Sequence, residues 1–414
     1  MNNLEVIELE NGLKVFLIND NTKHTTYINL VVKYGGINNE FYVNEKKYKM
    51  RDGMAHLIEH IVLESNIYGD IMKMFGELGI RSNGMTYIDR TRYYIDTVEH
   101  IYDGLKVLIK GIHSPVINDE ILNNIKKPIL EEKRRSLDNK NRVLYNNCIS
   151  SVKNNKNFKT ILGEINDIES ITIRDIKTCF NAFYRPENEI IVIGGRFDKE
   201  KILEVINNTY NGIEFSKDNI KKIVFNHKNT VNKKKISIKE NTAIGKTSIN
   251  FKINTLSLNP AEKLEFDIYI ACFLRMNFGI ISSLYKELVE NNLVSGGIGY
   301  SNSLLESYQL VRIETDTKFS NRFVKRVLNF IYNKEYILDK ELFELYKRNF
   351  IIDLILRNDN IYDMVDPLIE NIICFNYEKL DSVCDLEKLN YNEFVRCIES
   401  IDFSNYSVCE LKTL

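Results

Sequence analysis

The chain has no tryptophan, only five prolines and almost no net charge. Scarce proline beside abundant asparagine, isoleucine, lysine and tyrosine reads as compositional bias and points to no function. Lysine plus arginine (56) nearly balances aspartate plus glutamate (57), leaving −1. That excludes the broad basic field nucleic acid demands, so no nucleic-acid partner is expected. The seven cysteines, Cys148, Cys179, Cys272, Cys374, Cys384, Cys397 and Cys409, are odd in number and never spaced C-x-x-C. They form neither a zinc knuckle nor a disulfide framework, and read as reduced thiols of a cytoplasmic protein. No window approaches the ~18 uninterrupted apolar residues of a membrane span, and the first residues lack a basic region followed by an apolar run. Neither a membrane partner nor a secretory leader is expected.

What is present suits a globular chain with more than one core: 414 residues, 44% hydrophobic and 27% charged. Val6–Leu9 and Leu13–Ile18 alternate around an Asn-Gly turn at 11 and 12, predicting a hairpin, and Thr26–Lys33 predicts a third strand. Asp52 to Glu64 predicts a helix with Asp52 as N-cap and Met54, Leu57, Ile58, Ile61 and Val62 as its apolar stripe. A helix over 69–78, a strand over 84–98 and helices over 101–111 and 119–138 follow. This order predicts an α+β fold rather than a doubly wound parallel sheet. A Lys- and Asn-rich stretch over 214–235 reads as a linker between a metal-bearing half, 1–213, and a second half, 236–414. Beyond it, Asn241-Thr to Ile249-Asn250 can be laid on Asn21-Thr to Ile28-Asn29, a faint sign of internal duplication.

His56-Leu-Ile-Glu59-His60 is the H-x-x-E-H arrangement, the reverse of the commoner H-E-x-x-H zinc motif. On a helix, residues four apart stand one above the other, so both imidazoles can meet one metal. Glu59 is left free to act as general base on a water. Chance is a poor rival, because the chain holds only six histidines. A catalytic zinc takes three protein ligands, so a third must come from elsewhere. The helix over 119–138 has an inward stripe through Leu122, Ile125 and Ile129, and steps of three and four reach Glu132 rather than Glu131. A carboxylate on an apolar face is costly unless it binds something.

These residues, with Asp52-Gly53-x-Ala, the segment Ser82-Asn83-Gly-Met-Thr86 leading to Thr91-x-Tyr93, and Pro128-Ile-Leu-Glu-Glu132, resemble the pitrilysin and insulysin-type inverzincin peptidases. The resemblance is closest to the half-length branch of bacterial processing proteases and mitochondrial processing peptidase. It spans nearly the whole chain, specifically in the first half and loosely in the second. It implies two related α/β-layer halves, each a mixed sheet covered by helices, with a clam-shell formed by a dimer. It implies zinc on His56, His60 and Glu132, and an edge strand at Asn83, Gly84 and Met85 against which an extended peptide substrate pairs.

One departure stands out. The family carries an Arg and a Tyr in its second half that hold the substrate carbonyl, and here Val289 and Ser295 occupy those places. Tyr300 and Arg312 are nearby at the wrong spacing. The resemblance then implies the catalytic subunit of a two-subunit protease, whose partner of the same fold, in a heterodimer or a homodimer, supplies the missing pair. Losing such an oxyanion donor costs ~10²–10³ in rate. The substrates implied are short or unfolded peptides, including leader or precursor peptides. The alternative is a non-catalytic structural or assembly subunit.

The remaining histidines, His24, His100, His113 and His227, read as isolated. Glu64 and Asp96 are both candidates to orient an imidazole, and the sequence does not choose between them. Lys126, Lys127, Lys133, Arg134 and Arg135 read as the solvated side of the ligand helix. Gly296-Gly297-x-Gly299 reads as a turn rather than a nucleotide loop.

Overall fold

The computed structural model describes residues 4–153, 160–223, 229–305 and 308–414. His227 and part of the 214–235 stretch lie outside them.

Two compact units emerge. The first comprises Met1–Arg135, Asn157–Val224 and Arg357–Ile369. Its sheet has six strands in the order Leu4–Glu8, Lys14–Asn19, Glu189–Gly195, Thr26–Val32, Thr91–Thr97 and Arg81–Thr86. All neighbours are antiparallel except Lys14–Asn19 with Glu189–Gly195. Thr26–Val32 and Glu189–Gly195 are buried along their whole length, as expected of central strands covered on both faces. Arg81–Thr86 alternates exposed and half-buried residues at the sheet edge. The expected strand over 84–98 is in fact this edge strand and its neighbour, joined by a turn in which the Tyr87 amide donates to the Arg90 carbonyl at 2.8 Å.

The second unit comprises Ser136–Lys156, Phe225–Leu356 and Glu370–Leu414. Its five strands run Lys235–Glu240, Tyr406–Thr413, Lys246–Asn254, Tyr308–Asp316 and Ile298–Leu305. The first pair is parallel and the rest antiparallel, the same order and sense as the last five strands of the first sheet. The Ile-Asn overlay falls on matching central strands, where Asn29 and Asn250 are both fully buried.

Neither unit is a continuous stretch of chain, so the structural division differs from 1–213 and 236–414. Helix Lys140–Val152 packs Leu144 and Cys148 with Cys409 and Leu411 in the second unit. Helix Ile361–Glu370 lays Ile361 and Val365 against Gly194 of the first sheet, where a Cβ would meet Val365 at 2.5 Å. Strand Ile220–Lys222, within the expected linker, pairs with Glu40–Val43 in a small three-stranded sheet of the first unit. Among the described residues no single helix is long and apolar enough to cross a membrane.

Candidate metal centre

Helix Met54–Glu64 is fixed by the stripe expected for it, with Met54, Leu57, Ile58, Ile61 and Val62 all buried. Its start differs from expectation. Gly53, at φ +86°, is the N-cap, and no side chain caps the helix. Asp52 instead accepts from Asn39 Nδ2 at 2.5 Å. Only glycine fits at 53, because a Cβ would stand 2.6 Å from the Leu162 carbonyl oxygen.

From this helix His56 and His60 face Glu132 on helix Asp119–Asp138. His56 Nε2 lies 3.4 Å and His60 Nε2 3.9 Å from the same carboxylate oxygen of Glu132. Leu122, Ile125 and Ile129 are buried on that helix, and the phase carries through Pro128 to Glu132. Glu131 points away, exposed and paired with Arg134. Among the described residues, His56, His60 and Glu132 are a group whose donor atoms all lie within 4.8 Å of one another. Ligands ~2.1 Å from one tetrahedral ion lie ~3.4 Å apart, so the spacing fits a single cation. Two imidazoles and one carboxylate are also a donor set that suits zinc.

The Glu64 carboxylate faces His60 Nδ1 across 2.7 Å and accepts from the ring when that nitrogen carries the proton, which leaves Nε2 free toward Glu132. Asp96 pairs instead with Arg81 at 2.9 Å. Burial works against a charge on His60, but the Glu64 bond and the charges of Glu59, Glu64 and Glu132 outweigh it and raise its pKa. Burial likewise raises the Glu59 carboxyl, and the Thr86 bond and His60 offset part of that. Three carboxylates around two imidazoles leave a surplus of negative charge that a cation offsets.

Glu59 is 7% exposed and accepts from Thr86 Oγ1 at 2.6 Å. Asn83 and Met85 project from the opposite face of the edge strand, with Asn83 Nδ2 3.4 Å from the Tyr94 hydroxyl and Met85 exposed. Gly84 lies over Glu59, where a Cβ would be 2.9 Å from Oε1. The far side of the edge strand has no neighbour among the described strands.

Sequence reading missed Thr86 as a partner of Glu59, since only the hairpin register brings it there. The Glu64 partnership had a signal, the four-residue spacing from His60. Lys133 was misplaced: it is buried and pairs with Glu164 at 3.2 Å. Lys126 is half-buried and donates to the Glu169 and Ile171 carbonyls. His113 is a core histidine bonded to Glu189 at 2.9 Å. In the second unit Val289 is exposed on helix Ser283–Glu290, while Arg312 pairs with Glu314 and lies over the Tyr145 ring. Arg312 is thus used within that unit's own packing.

The model for the insulinase domain of peptidase family M16 matches residues 14–164, and that for the M16 inactive domain matches 170–350. A Bacillus subtilis protein named uncharacterized zinc protease YmfH is 22% identical over 409 residues, 98% of this chain and 95% of that protein. A probable mitochondrial-processing peptidase subunit beta of Arabidopsis thaliana is 20% identical over 226 residues, 53% of this chain and 41% of that protein. The crystal structure of a putative M16-like peptidase from Alicyclobacillus acidocaldarius shares the fold, with a TM-score of 0.89 at 20% identity over 100% of this chain and 99% of that one.

Proposed function

Because the chain belongs to peptidase family M16, we propose that it is a zinc-dependent endopeptidase for short or unfolded peptides, acting as the catalytic subunit of a two-subunit protease. The observation that carries this reading is the convergence of His56, His60 and Glu132 beside the buried carboxylate of Glu59. His56, His60 and Glu132 would hold the zinc, with Glu64 orienting His60. When bound, zinc supplies Lewis acidity toward water and the scissile carbonyl. Glu59 takes a proton from the attacking water and returns it to the leaving amine. The open edge at Asn83, Gly84 and Met85 aligns an extended peptide by backbone pairing, which makes recognition there tolerant of side chains.

Val289 and Ser295 supply neither the guanidinium nor the phenol expected to hold the carbonyl oxyanion, so a partner of the same fold bearing an Arg and a Tyr completes the site. Seven cysteines, none of them in a disulfide, suit a cytoplasmic setting. The same two residues favour a second reading, a structural subunit that keeps its metal ligands.

The test is hydrolysis of a quenched unstructured peptide by the zinc-loaded chain, alone and mixed with an Arg/Tyr-bearing partner, with Glu59→Gln as control. Cleavage that needs the partner and vanishes in the variant supports the proposal. Full cleavage by the chain alone removes the partner from it, and no cleavage in either arm despite bound zinc supports the structural subunit.

A further inference from the structure

The edge strand that would receive the substrate also grips Glu59. We infer that Thr86 is a positioning residue for the Glu59 carboxylate, an inference resting on the role of Glu59 proposed above. Residues 82, 84 and 86 of strand Arg81–Thr86 alternate with 81, 83 and 85, and within the first set Gly84 and Thr86 face helix Met54–Glu64 while Ser82 meets Met72. Within that set, Thr86 Oγ1 donates to Glu59 Oε2 at 2.6 Å, fixing one carboxylate oxygen. The other, Oε1, occupies the space a side chain at 84 would take. A Cβ there would stand 2.9 Å from Oε1, 3.2 Å from Glu59 Cγ and 2.7 Å from Leu63 Cδ1.

The hydroxyl holds the carboxylate in one orientation, with Oε1 left to exchange the proton. Because this contact comes from the strand that pairs with substrate, the base and the scissile bond are set in register by one element. A hydrogen bond to a charged group, once removed, costs about tenfold or more in the step that uses it. A positioning hydroxyl should act on the chemical step and leave substrate affinity nearly intact.

The experiment compares Thr86→Val, Thr86→Ser and Glu59→Gln in the zinc-loaded chain. It measures zinc per chain, the affinity of a peptide hydroxamate by calorimetry, and kcat and KM in whichever assembly cleaves. Expected are one zinc per chain throughout, about tenfold losses of hydroxamate affinity and kcat for Thr86→Val with KM within about twofold, and recovery in Thr86→Ser. Wild-type affinity and kcat in Thr86→Val, while Glu59→Gln loses both, would overturn the inference and leave the base in place. Loss of zinc in Thr86→Val without rescue by serine would overturn it in favour of a purely structural role. Glu59→Gln behaving as wild type would instead defeat the assignment of Glu59 itself.

Discussion

The two units share a five-strand order and each ties a carboxylate to its edge strand, yet only one of those carboxylates stands beside the proposed metal ligands. In the first unit Glu59 accepts from Thr86 of the edge strand and neighbours His60. In the second, Asp267 of helix Pro260–Phe278 accepts from Asn302 of strand Ile298–Leu305 at 2.7 Å and from Gln309 of the next strand. No histidine occurs anywhere in 236–414. The scaffold supplies the polar tie between first helix and edge strand. The proposed chemistry is an addition of two histidines and one later glutamate.

The largest expected effect breaks this comparison at its centre. Glu59→Gln should lower peptide hydrolysis about 10²–10⁴-fold with zinc content unchanged, whereas Asp267→Asn should leave kcat within about twofold. Equal losses in steady-state kinetics would mean the two carboxylates share a structural role. Next in size is Glu64→Gln. The imidazole it orients has no counterpart in the second unit, and removing the carboxylate should weaken zinc binding about 10–100-fold in competition with a chromogenic chelator. An unchanged affinity would make the 2.7 Å contact incidental.

Much of the first unit was legible because its signals are local. The apolar stripe of Met54–Glu64 and that of Leu122, Ile125 and Ile129 fix which faces turn inward, and the i, i+4 histidines follow from helical geometry. What escaped depends on distant partners. Asp52 looks like a cap but is drawn to Asn39, and Thr86 meets Glu59 only through hairpin register. Lys133 looks solvated until Glu164 arrives from a segment thirty-one residues on. The exchanged helices were illegible for the same reason, since an apolar helix face does not say which sheet will cover it.

A smaller effect sharpens the comparison through pH. Burial pushes Asp267 from the usual aspartate range up to about 6, against the pull of Gln309 and Asn302. An acid whose pKa is raised on folding binds more protons in the native state, so its contribution is greatest at low pH and is lost as pH rises through about 4 to 6. The size of the shift caps this loss at about 3 kcal/mol, and relaxation will leave about half. The difference in melting temperature between wild type and Asp267→Asn should therefore favour wild type more at pH 4 than at pH 7. A pH-independent difference would show that folding leaves the Asp267 pKa unshifted.

The smallest effect concerns the exchanged helices, whose tethers differ in kind. Helix Ile361–Glu370 is held by Asp366, which pairs with the buried guanidinium of Arg92, itself bonded to Asn29 Oδ1 at 2.6 Å and to Tyr27. Helix Lys140–Val152 is held by a neutral contact, Ser151 Oγ to Ser407 Oγ at 2.5 Å. Asp366 is half exposed, so Asp366→Asn should cost only about 1 kcal/mol, and Ser151→Ala a similar amount. If each sheet with its borrowed helix is one cooperative body, Asp366→Asn lowers only the urea midpoint of the first unit and Ser151→Ala only that of the second. If both variants move both midpoints equally, the units unfold together as one cooperative body, each helix tied through the chain to the unit it does not pack in.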